Sequence, residues 1–254
     1  MDLRLKDRVA LVNGASQGIG YAIAHLLAAE GARVAMTARR EPALRAAAER
    51  IRDETSSPVI AIQGDIRRIE DCERMVAETV RQFDGLEILV NNDGAPPLGP
   101  ALAFDDEAWR KAVDQNLMSV VRLCRSAVPY MKRAGGGSIV NNTALSVLQP
   151  LPGFALSVAT WAGVIGYAKT LSLELAADGI SVNTLCTGIV DTPRLRLVQS
   201  QSGELRDLSK DVPMKRPANP EEIAALIALL VSPRGRYITG ATIHIDGGAF
   251  QSLR

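Results

Sequence analysis

The chain has 254 residues, of which 47% are hydrophobic, so its length and composition fit one compact domain with a sizeable core. Charged residues make up 22% of the chain, and the formal net charge is +1. This balance excludes an acidic disordered protein and removes the electrostatic basis on which proteins bind nucleic acid.

Residue types that bind metals or form disulfides are scarce. The chain has two histidines, His25 and His244, and three cysteines, none of which belongs to a Cys-x-x-Cys pair. We therefore expect no metal site and no disulfide framework. The N-terminus carries no apolar leader, and the apolar run from Ile223 to Val231 is far too short to span a bilayer. We expect a soluble, cytoplasmic protein.

Short apolar runs alternate with longer helical patterns along the whole chain, which predicts one α/β domain over residues 1–254, with a parallel sheet and helices on both faces. The predicted strands are Arg8–Asn13, Arg33–Thr37, Val59–Gln63, Ile88–Asn91, Gly137–Asn141, Ser181–Cys186 and Thr242–Ile245. The predicted helices are Gly18–Glu30, Pro42–Glu54, Ile69–Phe83, Asp105–Arg133, Ser157–Asp178 and Pro220–Leu230. Residues 194–219 have no clear periodicity and are expected to form a lid or substrate loop.

A glycine-rich segment follows the first predicted strand and opens the first predicted helix. Glycines at this junction allow a tight turn and a close approach of the backbone to a pyrophosphate, which the amides at the helix N-terminus can bind. A plain strand-to-helix turn also uses glycines, so the dinucleotide interpretation depends on this position in the chain. The candidate phosphate-binding residues are Gly14, Ser16, Gln17, Gly18, Ile19 and Gly20.

The end of the second predicted strand indicates which dinucleotide would bind. An acidic residue there would hydrogen-bond the adenosine ribose of NAD, but this chain has Arg39 and Arg40 before the first acidic residue, Glu41. Two guanidinium groups favour the 2′-phosphate of NADP, although arginines at a strand end can also simply be solvated. Asp65, after the third strand, is a candidate acceptor for the adenine amino group or a helix cap.

Several motifs in fixed order resemble the short-chain dehydrogenase/reductase family over essentially the whole chain. They are NGASQGIG at 13–20, GDI at 64–66, NNDG at 91–94, Gln-Asn-Leu around Asn116, SVNTLCTGIVDTP at 181–193 and YITGATIHIDGG at 237–248. The resemblance implies a seven-stranded Rossmann fold and a carbonyl/alcohol oxidoreductase that uses NADP(H) in preference to NAD(H). It adds Ile66, Asn91, Gly94, Ile189 and Thr192 to the cofactor-binding residues. Asn91 and Gly94 are implied at the adenosine and ribose, and Ile189 and Thr192 at the nicotinamide carboxamide.

The residues that carry the chemistry of this family are replaced in this chain. Members use a Ser, a Tyr thirteen residues later, a Lys four residues after the Tyr, and an Asn on the preceding helix. Alignment on the flanking segments places Ala144, Ser157 and Trp161 at the first three positions, and only Asn116 is retained. No tyrosine in the chain is followed four residues later by a lysine, so a slipped alignment does not explain the loss.

Neutral polar side chains are what remain for chemistry at these positions. Neutral candidates accompany Asn116, and none of them ionises near neutral pH: Ser157, Ser146, Thr143, Asn142, Gln149 and Thr187. Asp93 would place a carboxylate near the pyrophosphate, and the indole of Trp161 would project toward the nicotinamide ribose, where it could obstruct binding.

The leading hypothesis is an NADP(H)-dependent oxidoreductase with a degenerate site. The alternatives are a non-redox enzyme on the same scaffold, or a catalytically silent NADP(H)-binding protein or subunit. The resemblance also implies a homodimer or homotetramer built on the helices Asp105–Arg133 and Ser157–Asp178 and on the last strand. The substrate is expected to be a small molecule, which the sequence does not identify.

Overall fold

The computed structural model describes residues 1–92, 94, 96–201, 210 and 212–252. Seven parallel strands form one sheet in the spatial order β3-β2-β1-β4-β5-β6-β7. The strands are β1 Val9–Asn13, β2 Arg33–Ala38, β3 Val59–Gln63, β4 Ile88–Asn91, β5 Gly137–Ala144, β6 Ile180–Thr187 and β7 Thr242–Ile245. The prediction of a seven-stranded parallel sheet of the Rossmann type is confirmed.

Helices connect the strands and cover both faces of the sheet. They are α1 Gly18–Ala29, α2 Glu41–Thr55, α3 Ile69–Phe83, α4 Asp106–Val113, α5 Ser119–Arg133, α6 Ala155–Leu175, α7 Pro193–Gln201 and α8 Pro220–Val231. One face is covered by α1, α2 and α8, and the other by α3, α5 and α6. No helix in the described part of the chain is long and apolar enough to cross a membrane.

The two cores follow from the alternation of side chains along each strand. On β1, Ala10 and Val12 point into the cluster under α1, α2 and α8, whereas Val9 and Leu11 point into the opposite cluster. Because both faces of β1 are buried, the strand is a continuous apolar run. This arrangement leaves the carboxyl ends of the strands as the place where polar residues collect.

The predicted helix Asp105–Arg133 is wrong as a single element. The chain forms α4, then a π-helical turn over Asp114–Met118, and then α5. The wider turn changes the helical phase at Asn116, and such turns are frequent at functional sites. The residues of the turn are ordinary helix formers, so hydrophobic periodicity does not reveal it.

The segment 194–219 was predicted to be a lid or substrate loop, but its first residues form a helix. Helix α7 covers Pro193–Gln201, with a proline at its first position and then mostly Arg, Leu, Val and Gln. These residues favour a helix but place polar groups all around it, so no apolar stripe marks it in the sequence. The rest of the predicted lid includes residues 202–209 and 211, which lie outside the described residues.

Strand β5 is three residues longer than predicted. Asn142, Thr143 and Ala144 continue the ladder opposite Leu185, Cys186 and Thr187 of β6. The prediction stopped at Asn141 because the apolar run ends there. The extension brings polar side chains to the carboxyl edge of the sheet.

Candidate active site

The topology of the sheet creates a crevice between β1 and β4. From β1 the chain passes to β2 and β3 on one side, and then returns to β4 on the other side. In open α/β sheets, ligands bind at the carboxyl ends of the strands where the order reverses in this way. The predicted phosphate loop, residues 14–20, follows β1 and therefore lies at this point.

The loop has the backbone conformation that the sequence predicts for a phosphate site. Gly14 and Gly18 adopt left-handed backbone angles, with φ of 63° and 59°. Helix α1 begins at Gly18, its N-cap Gln17 forms no side-chain capping bond, and its first turn contains no acidic residue. The N-terminal amides of α1 therefore remain available for an anion, toward which the helix dipole is favourable.

The backbone of the loop packs closely against its neighbours and leaves little room for a side chain at Gly18 or Gly20. We call this loop, residues 14–20, the glycine cradle. A Cβ atom at Gly20 would overlap the carbonyl oxygen of Gly14 and would lie 2.5 Å from Asn92 Nδ2. A Cβ at Gly18 would lie 3.3 Å from Thr192 Cγ2. The glycine loop is therefore seated against the end of β4 and against the segment after β6, and its residues fit the pyrophosphate of a dinucleotide.

Five asparagines, which we call the asparagine row, join the ends of three strands. The row consists of Asn13, Asn91, Asn92, Asn141 and Asn142. Asn91 accepts from Asn13 Nδ2 at 3.2 Å and donates to Asn141 Oδ1 at 2.8 Å. Asn92 donates its backbone N–H to Asn13 Oδ1 at 2.8 Å and accepts from Asn142 Nδ2 at 2.8 Å. The row fixes β1, β4 and β5 relative to one another below the crevice.

The asparagine row contains Asn91, which the sequence resemblance placed among the cofactor-binding residues. The side chain of Asn91, expected at the adenosine and ribose, is 4% exposed and is fully engaged within the row. Any contact of Asn91 with a ligand would therefore be made by its backbone. Sequence analysis named Asn142 as a candidate near Asn116 but missed the linkage of the five side chains, although the paired asparagines at 91–92 and 141–142, each at the end of a strand, were the available signal.

At the adenosine end of the crevice, Arg39 and Arg40 are exposed. Within the described ranges, neither guanidinium is paired with a carboxylate. Glu41, the first acidic residue after β2, accepts hydrogen bonds from Arg45 at 2.7 and 2.8 Å. The positive charge at this strand end is therefore uncompensated by its acidic neighbour.

Asp65 has a protein partner in the structure. Arg67 Nε lies 2.9 and 3.1 Å from its two carboxylate oxygens, and the Arg67 backbone N–H also donates to it. The hydrogen bond from the Arg67 side chain lowers the pKa of Asp65, and the charge of Arg39 acts in the same direction. The helix-cap alternative is wrong because the N-cap of α3 is Arg68. Ile66, the next candidate, is buried in the core cluster under α3, α5 and α6.

Asn116 lies in the π-helical turn and is 1% exposed. Its Nδ2 donates to Thr160 Oγ1 at 2.8 Å, and Thr160 donates in turn to the carbonyl of Leu156 at 2.7 Å. The Oδ1 atom of Asn116 is buried without a hydrogen-bond partner. It faces Gly94, where φ is 133° and an added Cβ would overlap it.

The structure places the other expected site residues on α6 and on the turn after β5. Ser157 and Trp161 are one helical turn apart on α6, and Ser157 is 2% exposed. Ser146 lies in the short turn Leu145–Val147, and its hydroxyl is buried without a partner. Asp93 lies outside the described residues.

Trp161 lies between the core and the expected site. It is partly buried and packs against the core cluster under α3, α5 and α6. Its Nε1 atom lies 3.6 Å from the position that a Cβ at Gly94 would take. The indole nitrogen is therefore on the Gly94 side of the ring.

Beyond β6, the expected nicotinamide residues are partly committed to the protein. The carbonyl of Ile189 accepts from the Ala218 N–H at 2.9 Å, so its own N–H is the group left for a ligand. Thr192 Oγ1 contacts the carbonyl of Val190 and the N–H of Leu195 at the start of α7. Arg194, which sequence analysis missed, donates to the carbonyl of Pro96 at 3.1 Å and ties α7 to the loop after β4.

The side chains that the structure places against Asn116, those of Thr160 and Trp161, are neutral, and the carboxylate of Asp114 in the same turn is paired with Arg122. The neutral groups are amide, hydroxyl and indole groups, which can form hydrogen bonds but cannot act as a tuned acid.

Cys186, at the end of β6, is fully buried, and burial raises the pKa of its thiol. Burial also raises the pKa of Tyr167, a later residue of α6. Neither group is suited to proton transfer near neutral pH.

The fold and the site define the class of protein. It is a doubly wound α/β protein whose glycine cradle lies at the switch point of a parallel sheet. A family model described as "Enoyl-(Acyl carrier protein) reductase" matches residues 14–249. The chain belongs to the short-chain dehydrogenase/reductase family, as its motifs predict.

Relatives with stated activities cover almost the whole chain. The 3-oxoacyl-(acyl-carrier-protein) reductase FabG of Staphylococcus epidermidis is 35% identical over 96% of this chain and 99% of its own length. Human dehydrogenase/reductase SDR family member 4 is 32% identical over 96% of this chain and 88% of its own length. A crystal structure of L-sorbose reductase from Gluconobacter frateurii, complexed with NADPH and L-sorbose, matches with a TM-score of 0.95 and 32% identity over 100% of both chains.

The cradle predicts a sharp difference between two glycine substitutions. Gly20→Ala should lower the free energy of unfolding by about 1–3 kcal/mol, because its Cβ meets the Gly14 carbonyl. Gly85→Ala is the matched control, since nothing lies within 4 Å of a Cβ there, and it should change stability by about 0.5 kcal/mol or less. Urea denaturation measures both. Equal stabilities of the two variants would contradict the close packing of the loop.

Proposed function

We propose that this chain is an NADP(H)-dependent oxidoreductase that acts on a carbonyl/alcohol pair through neutral hydrogen-bonding groups. The observation that carries the proposal is the glycine cradle at the switch point, with α1 amides that no acidic or capping side chain occupies. The NADPH complex of L-sorbose reductase and the 3-oxoacyl reductase activity of FabG support it, because both proteins belong to the same family.

The residues that would hold the dinucleotide lie along the carboxyl edge of the sheet. Residues 14–20 would hold the pyrophosphate, and Arg39 and Arg40 would hold the adenosine end. Gly94 would line the adenosine and ribose, and Ile189 and Thr192 would lie beside the nicotinamide. The arginines follow β2, the loop follows β1, Gly94 follows β4, and Ile189 and Thr192 follow β6, so all of them lie at the carboxyl edge of one sheet.

Preference for NADP(H) over NAD(H) rests on charge at the end of β2. Arg39 and Arg40 are exposed there, and Glu41 is turned toward Arg45 instead of the crevice. A guanidinium group binds a phosphate through charge-assisted hydrogen bonds, whereas a ribose hydroxyl of NAD would find no carboxylate at this position.

Substitutions of these two arginines test the preference. Arg39→Ala and Arg40→Ala should each weaken NADPH binding by about 10-fold or more while leaving NADH binding nearly unchanged, because a hydrogen bond to a charged group contributes about 1.5–3 kcal/mol. Calorimetric titration gives both affinities. Arg110→Ala, an exposed arginine of α4, is the control. A wild-type protein that binds NADH as tightly as NADPH would contradict the preference.

The proposed chemistry depends on the positioning of the substrate and not on an acidic side chain. A nicotinamide cofactor supplies or accepts a hydride when it is bound. The hydroxyl of Ser157 and the neutral groups near Asn116 would orient the substrate oxygen and stabilise its developing charge, with water as the proton source or acceptor. Loss of a positioned acid costs about 10²–10⁴ in rate, so turnover should be slow.

A second candidate is an NADP(H)-binding protein without redox turnover. It is favoured by one observation, namely that Thr160 and Trp161, the side chains that the structure places against Asn116, do not ionise near neutral pH. Binding and turnover assays on the same preparation separate the two candidates, since both bind NADPH and only the enzyme consumes it.

Restoring the family residues tests whether the site is otherwise intact. The triple variant Ala144→Ser, Ser157→Tyr, Trp161→Lys should raise NADPH-dependent carbonyl reduction by about 10² or more over a panel of ketones. The matched control carries Phe in place of Tyr at position 157, which supplies the ring without the phenol. With NADPH demonstrably bound to both variants, equal rates would refute the proposal that only these positions are missing.

Assembly with a second copy of the chain is part of the proposal. The edge strand β7 is partly exposed, and Leu173 of α6 and Tyr237 before β7 are 72% and 103% exposed. Leu173 and β7 belong to the expected surface formed by residues 105–133, 157–178 and β7, and Tyr237 precedes that strand in the chain. A partner would remove the two large apolar side chains from water.

Leu173→Glu should shift the protein toward smaller species in light scattering after size exclusion, because a charge at an apolar interface is costly to bury. Leu102→Glu, at a fully exposed leucine on the turn before α4, is the control and should leave the mass unchanged. A monomeric wild-type protein would contradict this assembly.

A further inference from the structure

Arg194, at the start of α7, carries a charge that no carboxylate of the described residues offsets. Its guanidinium donates to the carbonyl of Pro96 at 3.1 Å, and within the described ranges it forms no ion pair. Its neighbour on the helix, Arg196, differs because it pairs with Asp191 at 3.1 Å. A guanidinium has five N–H donors, so Arg194 keeps most of its hydrogen-bonding capacity for another group.

The free protein gains little from a positive charge at this position. Arg194 is the second residue of α7, where the positive end of the helix dipole repels a cation. The residue is half-buried, and burial lowers the pKa of its guanidinium, so the surroundings disfavour the charge. An anion bound beside Arg194 would offset both effects, and partial burial would strengthen the attraction.

The backbone of Arg194 lies close to the place where the proposed function puts the nicotinamide. Thr192 is two residues earlier, and its Cγ2 would lie 3.3 Å from a Cβ at Gly18 of the glycine cradle. From this point the side chain of Arg194 extends to Pro96, in the loop after β4. Hydride transfer requires contact between the nicotinamide and the substrate carbonyl, so the substrate would bind beside Arg194.

The loop that Arg194 contacts is also joined to the start of α6. The Gly99 N–H donates to the carbonyl of Gly153 at 3.0 Å, two residues before α6 begins. Ser157 lies in the first turn of that helix. The start of α7, the loop after β4 and the start of α6 therefore form one rim around the candidate site.

The rest of this rim is neutral. Residues 96–104 after β4 and residues 145–154 before α6 contain no charged side chain. In the described segment 188–199 after β6, Asp191 and Arg196 pair with each other. Among the described residues of these three segments, Arg194 is therefore the charge that is left to select a ligand.

We propose that Arg194 binds an anionic group of the substrate, a carboxylate or a phosphate, and thereby selects oxo compounds that carry such a group. The inference rests on the proposed function for the reaction itself. The pyrophosphate of the dinucleotide is a second possible source of an anion, but the α1 amides at the cradle would bind it, whereas the Arg194 guanidinium lies at the loop after β4. Arg194 is thus a specificity-determining residue.

Matched acids and esters test this selection. Pyruvate, acetoacetate and levulinate place the carboxylate one carbon further from the ketone in turn, and the methyl ester of each acid removes the charge. Calorimetric titration into protein saturated with NADP⁺ measures binding without turnover, because the oxidised dinucleotide cannot reduce a ketone. At least one anionic probe should bind about 10- to 100-fold more tightly than its neutral counterpart. Dihydroxyacetone phosphate against dihydroxyacetone is the phosphate pair, and it shows which of the two anions is preferred.

Three variants assign the preference to Arg194. Arg194→Gln should abolish the preference for the anion and leave binding of the neutral probe nearly unchanged. Arg194→Lys keeps the charge and a donor for Pro96, so it should retain part of the preference. Arg196→Gln is the matched control, since it removes the same charge from the same helix at a guanidinium that is already paired. It should leave the preference unchanged.

Equal binding of the charged and neutral probes in every pair, or no binding of any probe, would overturn the inference. A preference that survives Arg194→Gln would also overturn it. So would an equal loss for both members of a pair, which would indicate that the bond to Pro96 is merely structural. Weaker NADP⁺ binding in Arg194→Gln with an unchanged preference would assign the guanidinium to the dinucleotide.

The same titrations without dinucleotide separate this inference from the proposed function. If the wild-type protein does not bind NADP⁺, the proposed function fails. The ratio of anionic to neutral probe binding in the free protein then still tests Arg194 by the same outcomes.

Discussion

The site depends on the close packing of the glycine loop, residues 14–20, in which Gly20 lies against the carbonyl of Gly14 and against the end of β4. Gly20 lies so close to the Gly14 carbonyl and to Asn92 that no side chain fits there. This packing turns the amides of α1 toward the crevice and keeps them free of capping groups. Asn13 and Asn92 are joined by a hydrogen bond, so the end of β1, from which the loop starts, is tied to the end of β4. The rest of the crevice is arranged around these two strand ends.

The buried asparagines make this arrangement rigid. Amide groups can both donate and accept, so a chain of them can link strand ends without introducing charge into the core. On the far side of the crevice, Asn116 uses the same property, with one end of its amide fixed by Thr160 and the other left open. Fixed dipoles in place of ionised groups are the common feature of this site. Such groups can form hydrogen bonds but transfer protons poorly.

Much of the fold is predictable because parallel strands buried on both faces are apolar and glycines mark the first turn. The other features of the structure depend on tertiary contacts, which a single sequence does not reveal. The π-helical turn at Asn116 depends on tertiary packing, since its residues are ordinary helix formers. Helix α7 has no apolar stripe, and the last residues of β5 are polar because they face the site. Trp161 packs against the core with its ring and faces Gly94 with its nitrogen. This orientation depends on contacts among α6, the π-helical turn and Gly94, and hydrophobic periodicity does not predict such contacts.

The central claim is that a family fold without its ionisable residues still binds its dinucleotide through backbone amides, arginines and neutral donors. Calorimetric titration of the wild-type protein with NADPH, and in parallel with NADH, tests this claim most directly. The account predicts saturable binding of NADPH at one site per chain, with a clearly weaker affinity for NADH. Absence of any saturable heat with NADPH, for a protein whose fold is intact by circular dichroism, would contradict it.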